Sequence, residues 1–255
     1  MAKRYTYKYC GRYFYGVSYS MPGAADSQEA KRDRQQCVSE ARQKINDKRA
    51  AVQFEQLMAT NFTPSDLVVT LTYRDDALPP TLDAAKKNTK KFLSMLRQSY
   101  RLAGQELKYL MVHEGSHGDH RMHHHIVVNA IPDVQEIIRG HWAKWGDNLD
   151  FSRIDLKGYT AWAKYLCKEL LHTGRLRPGQ HAWSPSRNLT RPVVEQGECS
   201  DIMDISPPPG SVILENETTT TEYGAIHYIK CILPTWAVKP VQQQPPQKPR
   251  RRRKK

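Results

Sequence analysis

LKYLMVHEGSHGDHRMHHHIVVNAI, residues 107–131, holds two apolar runs separated by a polar stretch. Leu107–Glu114 and Met122–Ile131 are rich in aliphatic and β-branched residues, and the Gly-containing Gly115–Arg121 suits a long turn. The pattern predicts an antiparallel hairpin. Side chains on a strand alternate faces, so His123 and His125 project together while His124 points the other way. Two imidazoles on one face can share a metal. Glu114 lies near the end of the preceding strand, where antiparallel pairing can bring its carboxylate beside them. Mixed nitrogen and oxygen donors with open positions suit Mg2+ or Mn2+ acting on phosphate oxygens, although Zn2+ would bind the same pair. The alternative is a metal-free, pH-sensitive surface patch, and His113, His117 and His120 fit that description better.

Outward from this hairpin, strands and helices alternate. Leu67–Tyr73 (LVVTLTY) is a short β-branched run bounded by charges, which reads as a buried strand. Pro79-Pro80 ends it, and Leu82–Leu102 follows as a helix with a basic outer face and Gly104 placed for its cap. Val134–Trp145 predicts a helix, Leu149–Ile154 a short strand and Lys157–Leu171 another helix. The expected fold class is therefore α+β, with a central antiparallel sheet and packed helices.

The flanks carry weaker signals. Residues 1–25 are rich in Tyr and Gly, a composition that could stack on bases but reads more simply as an irregular edge. Ser27–Thr60 lacks Gly and Pro and predicts one or two amphipathic helices. After Arg175 the pattern fades, leaving short strand candidates at Val212–Leu214 and Ile226–Ile232 in an accessory segment. Gln242–Lys255 ends in a basic run containing Arg250, Arg251, Arg252 and Arg253, expected to be disordered and to add sequence-independent phosphate binding. The expected organisation is an N-terminal basic and helical extension over 1–60, a catalytic domain over 61–195, the accessory segment over 196–241 and a tail over 242–255.

Lys and Arg number 39 against 26 Asp and Glu, a net charge of +13. A field of that sign concentrates polyanions and makes nucleic acid the leading partner class. Five scattered cysteines with no C-x-x-C pair suggest neither a disulfide framework nor a zinc knuckle, and fit a reducing cytoplasm. No apolar segment long enough for a secretion signal or a membrane span is found, so no membrane partner is expected.

The segment KGYTAWAKYLCKELL, residues 157–171, contains two tyrosines that helical geometry separates. Trp162, Ala163, Leu166, Cys167, Leu170 and Leu171 form one apolar stripe, and Tyr159 falls within it as a packing residue. Tyr165 projects to the other side with Lys164 and Lys168. Nearby cations favour an attacking phenolate, and Lys168 can hold or neutralise a phosphate. An ordinary amphipathic helix with a rim tyrosine is the alternative.

Taken together, Val69-Thr70-Leu71-Thr72-Tyr73, Arg121-Met122-His123-His124-His125 and Tyr165-Leu166-Cys167-Lys168 resemble, in order and spacing, the motifs of the HUH endonuclease superfamily. The similarity is greatest to rolling-circle replication initiators of phages, plasmids and integrated elements. It covers residues 60–175, with weaker likeness at Trp183-Ser184 and Ser186-Arg187-Asn188-Leu189. The resemblance implies a ferredoxin- or RRM-like sheet and His123, His125 and Glu114 as ligands of Mg2+ or Mn2+. It implies Tyr165 as nucleophile assisted by Lys168. Lys164, Arg121 and Arg187 are expected to contact nucleic acid. The usual residue between the metal histidines is a bulky hydrophobic, so His124 leaves an alternative ligand pair open. Relatives with two tyrosines space them four apart, and Ala161 at that position implies a one-tyrosine mechanism.

The implied activity is nicking and rejoining of single-stranded origin DNA through a 5′-phosphotyrosine link in the cytoplasm of a bacterial host. No G-x-x-x-x-G-K-[ST] loop occurs, so unwinding is expected from a host helicase, with a DNA polymerase extending the free end. A conjugative relaxase or an HUH transposase would share these motifs. A noncatalytic binder built on the same sheet is the reading from another class, although no RNP1-like pattern is present.

Overall fold

A computed structural model describes residues 3–20, 38–115, 121–154, 158–168, 183–221 and 224–240. The basic tail with Arg250–Arg253, His117, His120 and the expected helix end beyond 168 lie outside the described residues. The chain divides into two compact units, residues 26–189 and residues 1–25 with 190–255. The expected α+β class holds, with two five-stranded antiparallel sheets and four α-helices among the described residues.

In the unit of residues 26–189, the sheet contains β3 (Leu67–Thr72), β4 (Tyr109–Glu114), β5 (His123–Val128), β6 (Leu149–Arg153) and β7 (Trp183–Pro185). They lie in the order β6-β3-β5-β4-β7. The helices are α1 (Val38–Asn61), α2 (Leu82–Leu102), α3 (Val134–Trp142) and α4 (Tyr159–Leu166). Alternation divides each strand between two faces. Val69, Leu71, Tyr109, Met111, Ile126 and Val128 supply one face, and they pack on Phe92, Leu96 and Tyr100 of α2 and on Ile138 and Trp142 of α3. Each large apolar side chain buried there contributes about 1.5–3 kcal/mol.

α2 begins at Thr81, whose hydroxyl accepts from the Ala84 N–H at 3.2 Å. It ends at Gly104, which takes a left-handed φ of 69° and donates its N–H to Arg101 O, as the sequence predicts. α1 packs with α4: Thr160 Oγ1 donates to Glu55 at 2.8 Å, and buried Tyr159 donates its hydroxyl to Phe62 O at 2.7 Å. Trp183 of the edge strand donates to Ala50 O of α1 and stacks edge-on against Phe54.

The second unit contains β1 (Lys3–Cys10), β2 (Tyr13–Ser20), β8 (Val193–Cys199), β9 (Val212–Thr221) and β10 (Gly224–Ile232), ordered β8-β1-β2-β10-β9. Here the structure departs from the sequence reading. Residues 3–20, expected as an irregular edge, form a hairpin, because Gly11 takes a φ of 57° in a two-residue loop. The expected accessory segment contributes to a core of its own unit: Phe14, Ile205, Ile229, Cys231 and Leu233 form a buried cluster. The expected extension over 1–60 is accordingly split, its first strands pairing with β8 and β10 while α1 belongs to the other unit. Among the described residues no helix is long and apolar enough to cross a membrane.

Candidate active site

The β4–β5 register sets the site. Glu114 stands directly opposite His123, and His125 lies two residues along on the same face. The Glu114 carboxylate therefore reaches both rings, with Oε2 at 3.3 Å from His123 Nε2 and Oε1 at 3.5 Å from His125 Nε2. All three donor atoms lie within 4.8 Å of one another. Glu114 and His125 are each only 1% exposed, and His123 is half-buried.

Second partners fix which ring nitrogens face the cluster. His123 Nδ1 lies 2.9 Å from Arg121 O, and since a carbonyl only accepts, that nitrogen carries the proton. His125 Nδ1 lies 3.1 Å from the hydroxyl of Thr70, its direct partner across the β3–β5 ladder. Both Nε2 atoms are thus turned to Glu114. This is how metal-ligating histidines are usually oriented, one nitrogen held by an oxygen and the other free for the ion.

Burial alone would raise the Glu114 carboxyl, but His123, His125 and Lys168 overcome it and hold the group well below the ordinary carboxylate range. The Glu114 contact raises His123 above its ordinary value, against the opposing effect of burial. Even so, among the described residues Glu114 Oε1 and His125 Nε2 are buried without a hydrogen-bond partner; their 3.5 Å separation is within ion-pair reach but lacks hydrogen-bond geometry. Buried polar atoms of this kind normally have a partner. A divalent cation between these donors would satisfy both, so the residues fit a metal; the donor set itself does not select one ion.

α4 brings Tyr165 and Lys168 to this cluster. The Tyr165 ring meets the His125 ring edge-on, centroids 5.5 Å apart, and Tyr165 remains 47% exposed. Lys168 Nζ lies 3.0 Å from Glu114 Oε2 and 4.4 Å from the Tyr165 ring centroid. Tyr159, by contrast, is buried in the α1–α4 packing. Cys167 is also buried, and desolvation pushes its thiol up to about 12, which disqualifies it as a rival nucleophile.

The other face of β5 answers the question left by His124. Its ring is fully buried, with Nε2 at 2.9 Å from the Tyr73 hydroxyl and Nδ1 at 2.9 Å from His113 Nδ1. His124 therefore fills a core position and lies on the wrong face to ligate with His123 and His125. His113, read from sequence as nearer a surface histidine, is half-buried and hydrogen-bonded to this buried ring. Desolvation lowers His124 well below its ordinary value and brings His113 down to about 4, so both rings are neutral. Tyr73 is pushed up to about 12 by the same cause.

The remaining expected contacts are dispersed. Lys164 is exposed on α4. Arg121 is committed internally, donating to Tyr73 O at 2.7 Å and pairing with Asp75. Arg187 is exposed beyond β7, on a loop lining a cleft beside α2. Sequence reasoning missed Thr70 and the Tyr73–His124–His113 chain. Both signals were present, since the register that pairs Glu114 with His123 also pairs His113 with His124, and Thr70 lies in the quoted strand motif.

Residues 66–173, from just before β3 to beyond α4, match a family model of replication-associated proteins, the ORF2 type. The match spans less than half of the chain and supports a likeness to replication-associated, initiator-type proteins over that stretch. No curated protein and no solved structure matches the chain significantly.

Proposed function

We propose that this protein is a rolling-circle replication initiator of the HUH endonuclease type, which nicks and rejoins single-stranded origin DNA. The observation that carries this reading is the convergence of Tyr165 and Lys168, from α4, on the Glu114–His123–His125 cluster of the sheet. His123, His125 and Glu114 would hold the ion, Mg2+ or Mn2+. Bound there, it would supply Lewis-acid polarisation of a phosphate oxygen.

The chain's own groups do the rest. The Tyr165 oxygen forms a bond to phosphorus in line with the bond that breaks, that to the 3′ oxygen of the preceding nucleotide. The phenolic proton leaves to solvent, to which Tyr165 is open, and the departing 3′ oxygen takes up a proton. The products are a 5′-phosphotyrosine link and a free 3′-hydroxyl. Lys168 orients Glu114 and places a positive charge beside the nucleophile, where it can neutralise the incoming phosphate. Because the phosphodiester energy is kept in the covalent link, attack by a 3′-hydroxyl reverses the step and rejoins the strand without ATP. The free 3′ end would be extended by a host DNA polymerase behind a host helicase.

Tyr165→Phe should abolish the covalent adduct on a single-stranded origin oligonucleotide in the presence of Mn2+, with Tyr159→Phe as the control. An adduct of undiminished yield in Tyr165→Phe would overturn the assignment. Metal-independent binding without cleavage by the unmodified protein would favour the noncatalytic reading instead.

A further inference from the structure

On the face of the central sheet opposite Glu114, His123 and His125, a cleft runs between α2 and the edge strand β7. One part, about 710 Å3, lies beside Arg101 and Arg187, and a second, about 380 Å3, lies beside Lys86, Lys90 and His113. Arg97 and Tyr109 line both parts, so the two are continuous. At 3.6 residues per turn, Lys86, Lys90, Arg97 and Arg101 fall within about 60° of one another around α2 and form a single stripe. Fifteen helical rises from Lys86 to Arg101 carry that stripe along about 22 Å.

Lys86, Lys90, Arg101 and Arg187 are exposed. Arg97 is half-buried and held in place by Tyr109, whose hydroxyl accepts from it at 3.0 Å. Among the described residues none of these five cations forms an ion pair. The acid lining the cleft, Glu106, is bonded to Asn188 at 3.1 Å. A concave strip carrying five cations against one carboxylate is complementary to a polyanion rather than to an ordinary protein surface. A stacked strand carries a phosphate about every 3.4 Å, so the stripe runs alongside about six of them.

We infer that this cleft is a second DNA track, which holds the phosphodiester backbone of single-stranded origin DNA flanking the scissile phosphate, on the sheet face away from Tyr165. The inference rests on the reading of the protein as a DNA-nicking enzyme, but concerns binding rather than chemistry. Its role would be to fix the position of the DNA through contacts that carry no base information.

Two double variants of α2 test it, each removing the same charge from the same helix. Lys86→Gln with Lys90→Gln strips the cleft, while Lys87→Gln with Lys91→Gln strips exposed lysines that do not line it. Binding of the full chain to a labelled single strand of roughly 30 nucleotides would be followed by fluorescence anisotropy, in chelator and across a salt series. The cleft pair should weaken binding about tenfold and reduce the slope of log K against log salt by about 1.4, or about 0.7 for each phosphate that is no longer neutralised. The control pair should change both far less. Equal losses in the two variants, or no loss in the cleft pair, would overturn the proposal. The measurement contains no cleavage step, so persistence of the adduct in Tyr165→Phe would overturn the catalytic reading and leave this comparison standing.

Discussion

His125 divides its two ring nitrogens between tasks, and Thr70 decides which does what. With Nδ1 held at 3.1 Å from the Thr70 hydroxyl, Nε2 is turned to Glu114. Thr70→Val keeps the shape and removes the hydroxyl. Loss of such a partner typically costs 10–100-fold in metal affinity, so Mn2+ binding followed by calorimetry should weaken by roughly that factor while the fold is retained. An unchanged affinity would show that Thr70 does not orient the ligand. On the opposite face, His113 and His124 are neutral when folded and titrate near 6.5 when unfolded. As pH falls from about 6.5 towards 4 the unfolded chain takes up protons that the folded one refuses, so stability must fall. His123 is shifted upward and acts above 6.5, and Glu114 acts from the ordinary carboxylate range downward, so neither masks the part of the window between 6.5 and 5. Each of these two histidines adds a slope of up to about 1.4 kcal/mol per pH unit. Urea unfolding between pH 7 and 5 should show it, and His124→Leu should flatten it.

At the scale of elements, the ladder β4–β5 was legible because its pattern is local. Period-two alternation within Met122–Ile131 selected His123 and His125, and the short span back to Glu114 made the pairing partner plain. α2 was legible from Leu82 to Leu102 because its apolar spacing, the Pro79-Pro80 stop before it and the Gly104 cap after it all agree. The hairpin of residues 3–20 was not, although Tyr5, Tyr7 and Tyr9 alternate with polar residues. Its neighbours in the sheet, β8 and β10, lie some 190 residues or more downstream, and a pairing that distant leaves no local trace. The same limit hid Gly146. A Cβ there would lie 1.9 Å from Thr72 O at the end of β3, where the Trp142 indole also donates at 3.0 Å. Gly146→Ala should therefore destabilise by about 1–3 kcal/mol through overpacking, seen as a lower urea midpoint. Gly140→Ala, where a Cβ meets nothing within 4 Å, is the matched control.

For the whole molecule, a bound ion would act through linkage rather than through any one contact. An excess of 13 positive charges favours a polyanionic partner without saying where it would bind; the stripe on α2 became visible only when the fold aligned residues 86 to 101 beside β7. Metal binding offers a sharper test, because Glu114, His123 and His125 converge only in the folded chain. A ligand that binds only the native state stabilises it by RT ln(1 + [L]/Kd), about 2.7 kcal/mol at one hundred times Kd. Saturating Mn2+ should raise unfolding stability by that amount in the unmodified protein and not in His123→Ala with His125→Ala. All three donors belong to the unit of residues 26–189, so the added protection against hydrogen exchange should appear in the amides of β4 and β5. Amides of β1, β2 and β10 should be unaffected. Equal protection in both sheets would mean that the ion acts elsewhere or nonspecifically, and the cluster would lose its claim to be the metal centre.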